Sequence, residues 1–229
     1  MGDVIPLTRR RSSALPSTTR AVARDALRAP RVHPRVTFYF DLISPWTYLA
    51  AERAERLFAG GRWRPAMGEA LLGGRSAPDP RDEHERAAAE RRAVELRLPL
   101  VWPEGWPDSG RGAMRVASLA AERGRAAPFV LAASRLAFCG GYELDDPEVI
   151  AEAAAAAGLP LRDALAAAGE LRRDGDMERS ALALLRRGAD EMPVTVVGRQ
   201  IFAGESRLAE AAAAAAAPRA LPRRVARPG

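Results

Sequence analysis

The feature that most constrains this chain is a change of hydrophobic period between residues 36 and 58. Val36, Phe38 and Phe40 fall on one side of a period-two run of β-branched and aromatic residues, which defines a strand ending near Asp41. From Trp46 the period becomes helical. Ala50, Ala54, Leu57 and Phe58 form one stripe, with Glu52, Arg53, Glu55 and Arg56 outside it and Glu52 spaced to pair with Arg56. Ser44-Pro45 stands between, a residue pair that opens helices. Gly60 and Gly61 stop the helix, and residues 62–67 return as a second strand. This order commits the start of the chain to a β-α-β unit with a right-handed crossover.

Strand character returns only near the far end. Residues 193–197 and 200–203 flank Gly198-Arg199, a two-residue loop whose leading Gly suits a type II′ hairpin. Gly204 and Glu205 lead to Ser206, read as an N-cap, and to a closing helix with Leu208, Ala211, Ala212 and Ala215 inward. Between the β segments, helices are expected at 82–97, 111–123, 127–139, 146–157, 160–173 and 176–187, punctuated by prolines. Asp146-Pro147 is a further cap with Pro at the first helical position. Roughly 110 residues are too many for a loop, so this block is read as an inserted helical subdomain. The fold class is α/β, a four-stranded mixed sheet with a large all-helical insertion. The expected divisions are 35–74 for the first β-α-β half, 75–190 for the insertion and 191–217 for the hairpin and last helix. Basic tails at 1–34 and 218–229 are expected to be disordered.

Cysteine and histidine counts exclude several chemistries. Cys139 is the one cysteine, so there is no intramolecular disulfide, dithiol centre or cysteine-rich metal site. His33 and His84 are too few for a multi-histidine zinc site, and no metal is expected. Cys139 itself reads as a small filler near a helix end, and His84, among charged neighbours, as solvated. No apolar run approaches the roughly 20 residues of a membrane span. The basic start lacks the apolar stretch of about 7–15 residues that a signal peptide carries. A cytoplasmic protein with no membrane partner is the expectation. All 35 basic residues are arginine and the formal net charge is +6, which invites a nucleic-acid reading. Residues 1–35 carry +6 and 218–229 carry +4, however, leaving −4 on residues 36–217. The basicity belongs to the tails, and nucleic acid is not the expected partner.

Residues 38–49, Phe-Tyr-Phe-Asp-Leu-Ile-Ser-Pro-Trp-Thr-Tyr-Leu, resemble the opening of the DsbA-like thioredoxin-fold family. Redox members carry Cys-Pro-Trp-Cys or a close variant where this chain has Ser44-Pro45-Trp46-Thr47. The non-redox branch comprises 2-hydroxychromene-2-carboxylate isomerases and kappa-class glutathione transferases. Its pattern, Asp-x-x-Ser-Pro-aromatic-x-Tyr/Trp-Leu, fits this chain. Met192-Pro193, the hairpin, Gly204 and Arg207 resemble that family's cis-Pro loop and the start of its last helix.

The resemblance implies a thioredoxin fold, a homodimer and a small thiol cofactor, glutathione or another, with its sulfur at Ser44. A helix N-terminus there favours negative charge. It implies a catalytic role for Ser44, cofactor contacts from Pro45, Trp46, Ser109, Met192, Pro193, Ser206 and Arg207, and a substrate pocket containing Tyr48 and Trp106. The implied activity is isomerisation or conjugation of a small electrophilic or aromatic molecule, and not dithiol–disulfide exchange. Two departures bear on the cofactor: the family's Asp-Arg pair is Ser206-Arg207 here, and Ser109 stands where the family has Asn.

The same residues have plainer readings. Ser44 caps a helix and would contribute about 1 kcal/mol by doing so. Trp46 and Tyr48 are core aromatics at a helix start, and Trp102 and Trp106 either cover the site or pack it. A thioredoxin-fold binding module, holding a peptide or protein partner at the cis-Pro edge, uses the same residues without any thiol.

Overall fold

The alternating run forms β1 (Val36–Phe40), with Val36, Phe38 and Phe40 buried and Thr37 and Tyr39 half-buried. A computed structural model describes residues 36–71 and 83–217 of the chain; the expected tails, with His33, lie outside these residues. After β1 come α1 (Pro45–Leu57), β2 (Arg62–Pro65) and α2 (Gly68–Leu71). The long helical block contains α3 (Glu83–Leu96), α4 (Arg111–Glu122), α5 (Ala126–Gly140), α6 (Pro147–Ala156), α7 (Leu161–Ala168) and α8 (Arg172–Leu185). The chain then forms β3 (Val194–Val197), β4 (Gln200–Ala203), a 3-10 turn (Glu205–Arg207) and α9 (Leu208–Ala216).

The strands make one mixed sheet of order β2-β1-β3-β4. β1 runs parallel to β2 with Phe38 opposite Trp63, and antiparallel to β3 with Phe38 opposite Thr195. The hairpin turns as its sequence requires. Gly198 has φ +59°, and Arg199 is not among the residues of positive φ, which together define the type II′ geometry.

Each face of the sheet is covered. On one face Phe38 and Phe40 meet Trp63 at centroid distances of 4.6 and 6.1 Å. Their core continues through Leu49, Val116, Phe129, Phe138, Ile150 and Ala164, so α1 and the inserted helices α3–α7 share a single core with the sheet. On the other face Val194 and Val196 pack with Leu71 of α2 and with Ala181 and Leu184 of α8. Burying a phenylalanine such as Phe129 or Phe138 contributes about 1.5–3 kcal/mol, which makes the helical block a structural partner of the sheet.

Several local expectations need correction. Leu57 is 48% exposed, because the buried stripe of α1 runs through Ala50, Ala51 and Ala54 and passes to Phe58. Glu52 pairs with Arg135 of α5 at 2.5 Å, while Arg56 bonds the Glu52 backbone carbonyl. The expected helix at 160–173 stops at Ala168. Backbone bonds from Gly169 to Ala166 and from Leu171 to Gly169 tighten the chain there, and Gly175 lies inside the following helix. Ser206 sits within the 3-10 turn, and Arg207 occupies the N-cap position of α9. Asp146 caps α6 as expected, accepting the Glu148 N–H at 2.8 Å.

Candidate functional site

The strand-to-helix transition after β1 is held by a buried carboxylate. Asp41 accepts the Ile43 N–H at 2.9 Å and the Gly68 N–H at 2.7 Å, joining the loop before α1 to the start of α2. Burial pushes its acid dissociation above the usual carboxylate range, and the two backbone N–H groups oppose that shift. The Asp41 N–H donates to the buried Thr47 hydroxyl at 3.2 Å. Thr47, where a redox relative has its second cysteine, is thus a structural hydrogen-bond acceptor.

Ser44 occupies the N-cap position of α1 with extended backbone, yet its side chain makes no capping bond. Pro45 has no N–H, and the Thr47 N–H returns to the Ser44 carbonyl at 3.0 Å. No backbone acceptor takes the Trp46 N–H among the described residues. Ser44, partly exposed and without a capping bond, and the Trp46 N–H, without a backbone acceptor among the described residues, therefore both stand at the positive end of a 13-residue helix. That pairing suits an anionic sulfur or oxygen.

Other expected site residues separate into those around Ser44 and those committed elsewhere. Trp106 is buried, and its indole N–H donates to the carbonyl of Ile43, the residue before Ser44, at 2.7 Å. Trp46 is half-buried, and its indole N–H donates to Glu85 of α3 at 2.5 Å. Ser109 precedes Gly110, where a Cβ would come within 2.7 Å of the Ile43 side chain, so the loop packs directly on the Ser44 approach. The Met192–Pro193 peptide is cis, as the resemblance implied. Met192 reaches the same region, its Cγ lying 3.5 Å from where a Cβ on Gly68 would stand, beside the Asp41 carboxylate.

Tyr48 is not a pocket residue. It is 2% exposed, stacks on Phe138 at 5.5 Å and donates its hydroxyl hydrogen to the Pro99 carbonyl at 2.5 Å. Its oxygen also meets Cys139 Sγ at 3.1 Å, so the lone thiol, half-buried near the end of α5, has a partner inside the helical block. Burial, with the Cys139 contact, pushes the phenol well above the usual tyrosine range. Ser206 and Arg207 are exposed, and Arg207 pairs with Glu210 at 2.7 Å. The neighbouring acid Glu205 is buried and bonded to both Arg53 and Arg92, so it offers no free charge to a ligand.

Four residues of the site went unnoticed as site residues in the sequence. Asp41 had a signal, as an acid closing an apolar strand. Glu85, Arg86 and Glu191 had none. Arg86 lies over the Trp102 and Trp106 rings at 4.8 and 5.2 Å. Glu191 lies against Gly204, and burial, Asp190 and Glu85 together push its carboxyl upward. A groove of about 1070 Å³ runs along β2 between α4 and α8 and contains none of the expected site residues. No group of side chains suited to a metal ion occurs among the described residues. No helix there is long and apolar enough to cross a membrane.

Residues 35–216 match the DSBA-like thioredoxin domain. The fold resembles a 2-hydroxychromene-2-carboxylate isomerase at TM-score 0.65 and 20% identity, covering 78% of this chain and 93% of that one. It also resembles a probable DsbA oxidoreductase from Streptomyces coelicolor at TM-score 0.59 and 22% identity, covering 80% and 88% of the two chains. No curated protein matches the sequence.

Proposed function

This chain belongs to the DSBA-like thioredoxin domain family, and on that premise we propose that it binds a small thiol at Ser44 and acts on a small electrophilic or aromatic substrate as an isomerase or transferase. The observation that carries the reading is the Ser44 hydroxyl, set at a helix start without capping it. A residue retained there only for the helix would accept an N–H of the first turn. One freed from capping can instead donate to a thiolate.

In this reading the bound thiol, of the glutathione type, supplies the nucleophile. The chain's own residues do the rest. The Ser44 hydroxyl and Trp46 N–H hold the sulfur as its anion, lowering the cost of losing its proton to solvent at neutral pH. Met192 is a free edge for the cofactor's backbone, since neither its N–H nor its carbonyl has a backbone partner among the described residues. Pro193 has no N–H to offer, and its carbonyl already accepts the Gly204 N–H at 2.8 Å. Glu191, against Gly204, fits the ammonium that Ser206 no longer attracts. A homodimer, which rests on the family resemblance alone, and a cytoplasmic location belong to the same proposal.

The free Met192 edge equally suits an extended peptide, which favours the binding module as a second reading. Calorimetric titration with glutathione, repeated with a mycothiol-type thiol and with Ser44→Ala, separates the two. Saturable binding of either thiol, weakened by the substitution, supports the enzyme. A folded protein that binds neither thiol is the binding module's result.

A further inference from the structure

The sheet ends on one side at β2, whose outer edge takes no part in the Ser44 chemistry. β2 pairs with β1 in a parallel ladder that sets Tyr39 beside Arg64. The Ala66 N–H continues that ladder, donating to the Phe40 carbonyl at 2.9 Å. Backbone groups alternate in direction along a strand, so those of Arg62, Arg64 and Ala66 face β1 and those of Trp63 face away. The Trp63 N–H and carbonyl and the Pro65 carbonyl thus point out of the sheet, and none has a backbone partner among the described residues. This edge borders the groove of about 1070 Å³ between α4 and α8. Unpaired backbone beside an open groove is a template for one more extended chain.

The side chains specify which kind of chain fits. Trp63 turns into the core, while Arg62 and Arg64 are exposed and line the groove, with Arg179 and Arg187 on the opposite wall. Two acids line it as well, and each already has a partner. Asp176 pairs with Arg179, and Glu122 pairs with Arg173 at 2.7 Å. Four arginines against two acids leave the groove basic. Arg62 and Arg64 stand two residues apart on one face, about 6.6 Å along the strand, which is the spacing of alternate side chains in a partner strand. Opposite charges directly across such a pair attract, and like charges repel. The chain's own tails, at +6 for residues 1–35 and +4 for 218–229, are therefore poor occupants, as is a second copy of the same basic edge. A uniform polyanion such as nucleic acid would meet Glu122 and Asp176 and brings no strand backbone for Trp63 to pair with.

We propose that the β2 edge docks an extended acidic segment of a partner protein. Its backbone adds a strand beside Trp63, and carboxylates at alternate positions lie against Arg62 and Arg64. None of the groove's residues belongs to the Ser44 site, so this docking surface is independent of the thiol reading.

The test is fluorescence anisotropy of the full chain with the labelled peptide Ser-Glu-Val-Glu-Val-Glu-Ser, its Gln counterpart, and an N-methylated form that keeps the acids but cannot pair its backbone. The wild type is expected to bind the acidic peptide at least about fivefold more tightly than either control. The double substitution Arg62→Gln and Arg64→Gln, at two exposed positions, should remove the preference over the Gln peptide. Failure of the wild type to bind, or equal binding of acidic and Gln peptides, would overturn the inference and needs no variant to fold. So would acidic-peptide binding that survives the double substitution, which places the peptide elsewhere, the Met192 edge included. An N-methylated peptide that binds as well as its parent would reduce the contact to charge attraction without an added strand, and would overturn it too. A thymidine oligomer that binds more tightly than the peptide, and is weakened by the same substitutions, would make the groove a nucleic-acid surface instead. A mass in sedimentation that rises with protein concentration, and does not in the double variant, would make the edge a contact between copies. Either of these last two results contradicts the proposal.

Discussion

Replacing Asp41 by Asn tests how the site is held in place. Asp41 gives one oxygen to the Ile43 N–H and the other to the Gly68 N–H, at 2.9 and 2.7 Å, and is 6% exposed. An Asn of the same shape accepts through one atom only. Its amide nitrogen is a donor, so whichever way it turns it faces one backbone N–H with another donor. Orphaning that N–H costs about 1–3 kcal/mol. The change also removes a buried charge, a gain that depends on pH. The Asp41 carboxyl is pushed up in the folded protein, chiefly by burial. Its contribution to stability is full below the unfolded acid's range and is lost as pH rises through the folded value. The Asn variant lacks that loss, so the gap between wild type and variant is widest in acid and narrows towards neutrality. Urea unfolding, followed by tryptophan fluorescence, should show a deficit of about 1–3 kcal/mol near pH 4 that shrinks by about pH 8. A deficit that grows with pH, or none in acid, would refute this account of Asp41.

Other expectations follow from the same contacts. Thr47→Val leaves the Asp41 N–H without its acceptor and should cost about 1–2 kcal/mol in the same assay, although the side chains match in shape. Ser44→Ala should change stability by less than about 0.5 kcal/mol, because no capping bond is lost, while weakening thiol binding; a loss near 1 kcal/mol would restore the capping role. Glu205→Ala removes a buried carboxylate from between Arg53 and Arg92, which are partly exposed. A cost of about 2–4 kcal/mol is expected, and a neutral result in thermal unfolding would show that solvent satisfies both arginines.

The sheet was legible because its information is local. Alternation at Val36, Phe38 and Phe40 and the glycine-led two-residue loop at 198–199 each specify geometry over a few residues, and both formed as read. Errors arose where a local signal competed with a distant partner. Glu52 had Arg56 at helical spacing, yet it met Arg135, 83 residues away. Ser206 had the chemistry of a cap, but the buried ion pairs of Glu205 accompany a 3-10 turn that carries it past that position. Tyr48 was assigned to the pocket from its place in the motif, and only the packing of α1 against Phe138 of α5 shows which way it faces. The cluster of Trp46, Glu85, Arg86 and Trp106 joins three segments remote in sequence, and no spacing rule brings them together.

The most direct test of the central claim is the ionisation of a thiol bound at Ser44. The ultraviolet absorbance of the thiolate is followed across pH as glutathione or a mycothiol-type thiol saturates the protein, with Ser44→Ala as the comparison. If the helix start and the Ser44 hydroxyl hold sulfur as its anion, the bound thiol should ionise at least about one pH unit below the free one. Ser44→Ala should return most of that shift. A thiol that binds but ionises as it does in water, or a shift that survives the loss of the hydroxyl, would contradict the role assigned to Ser44.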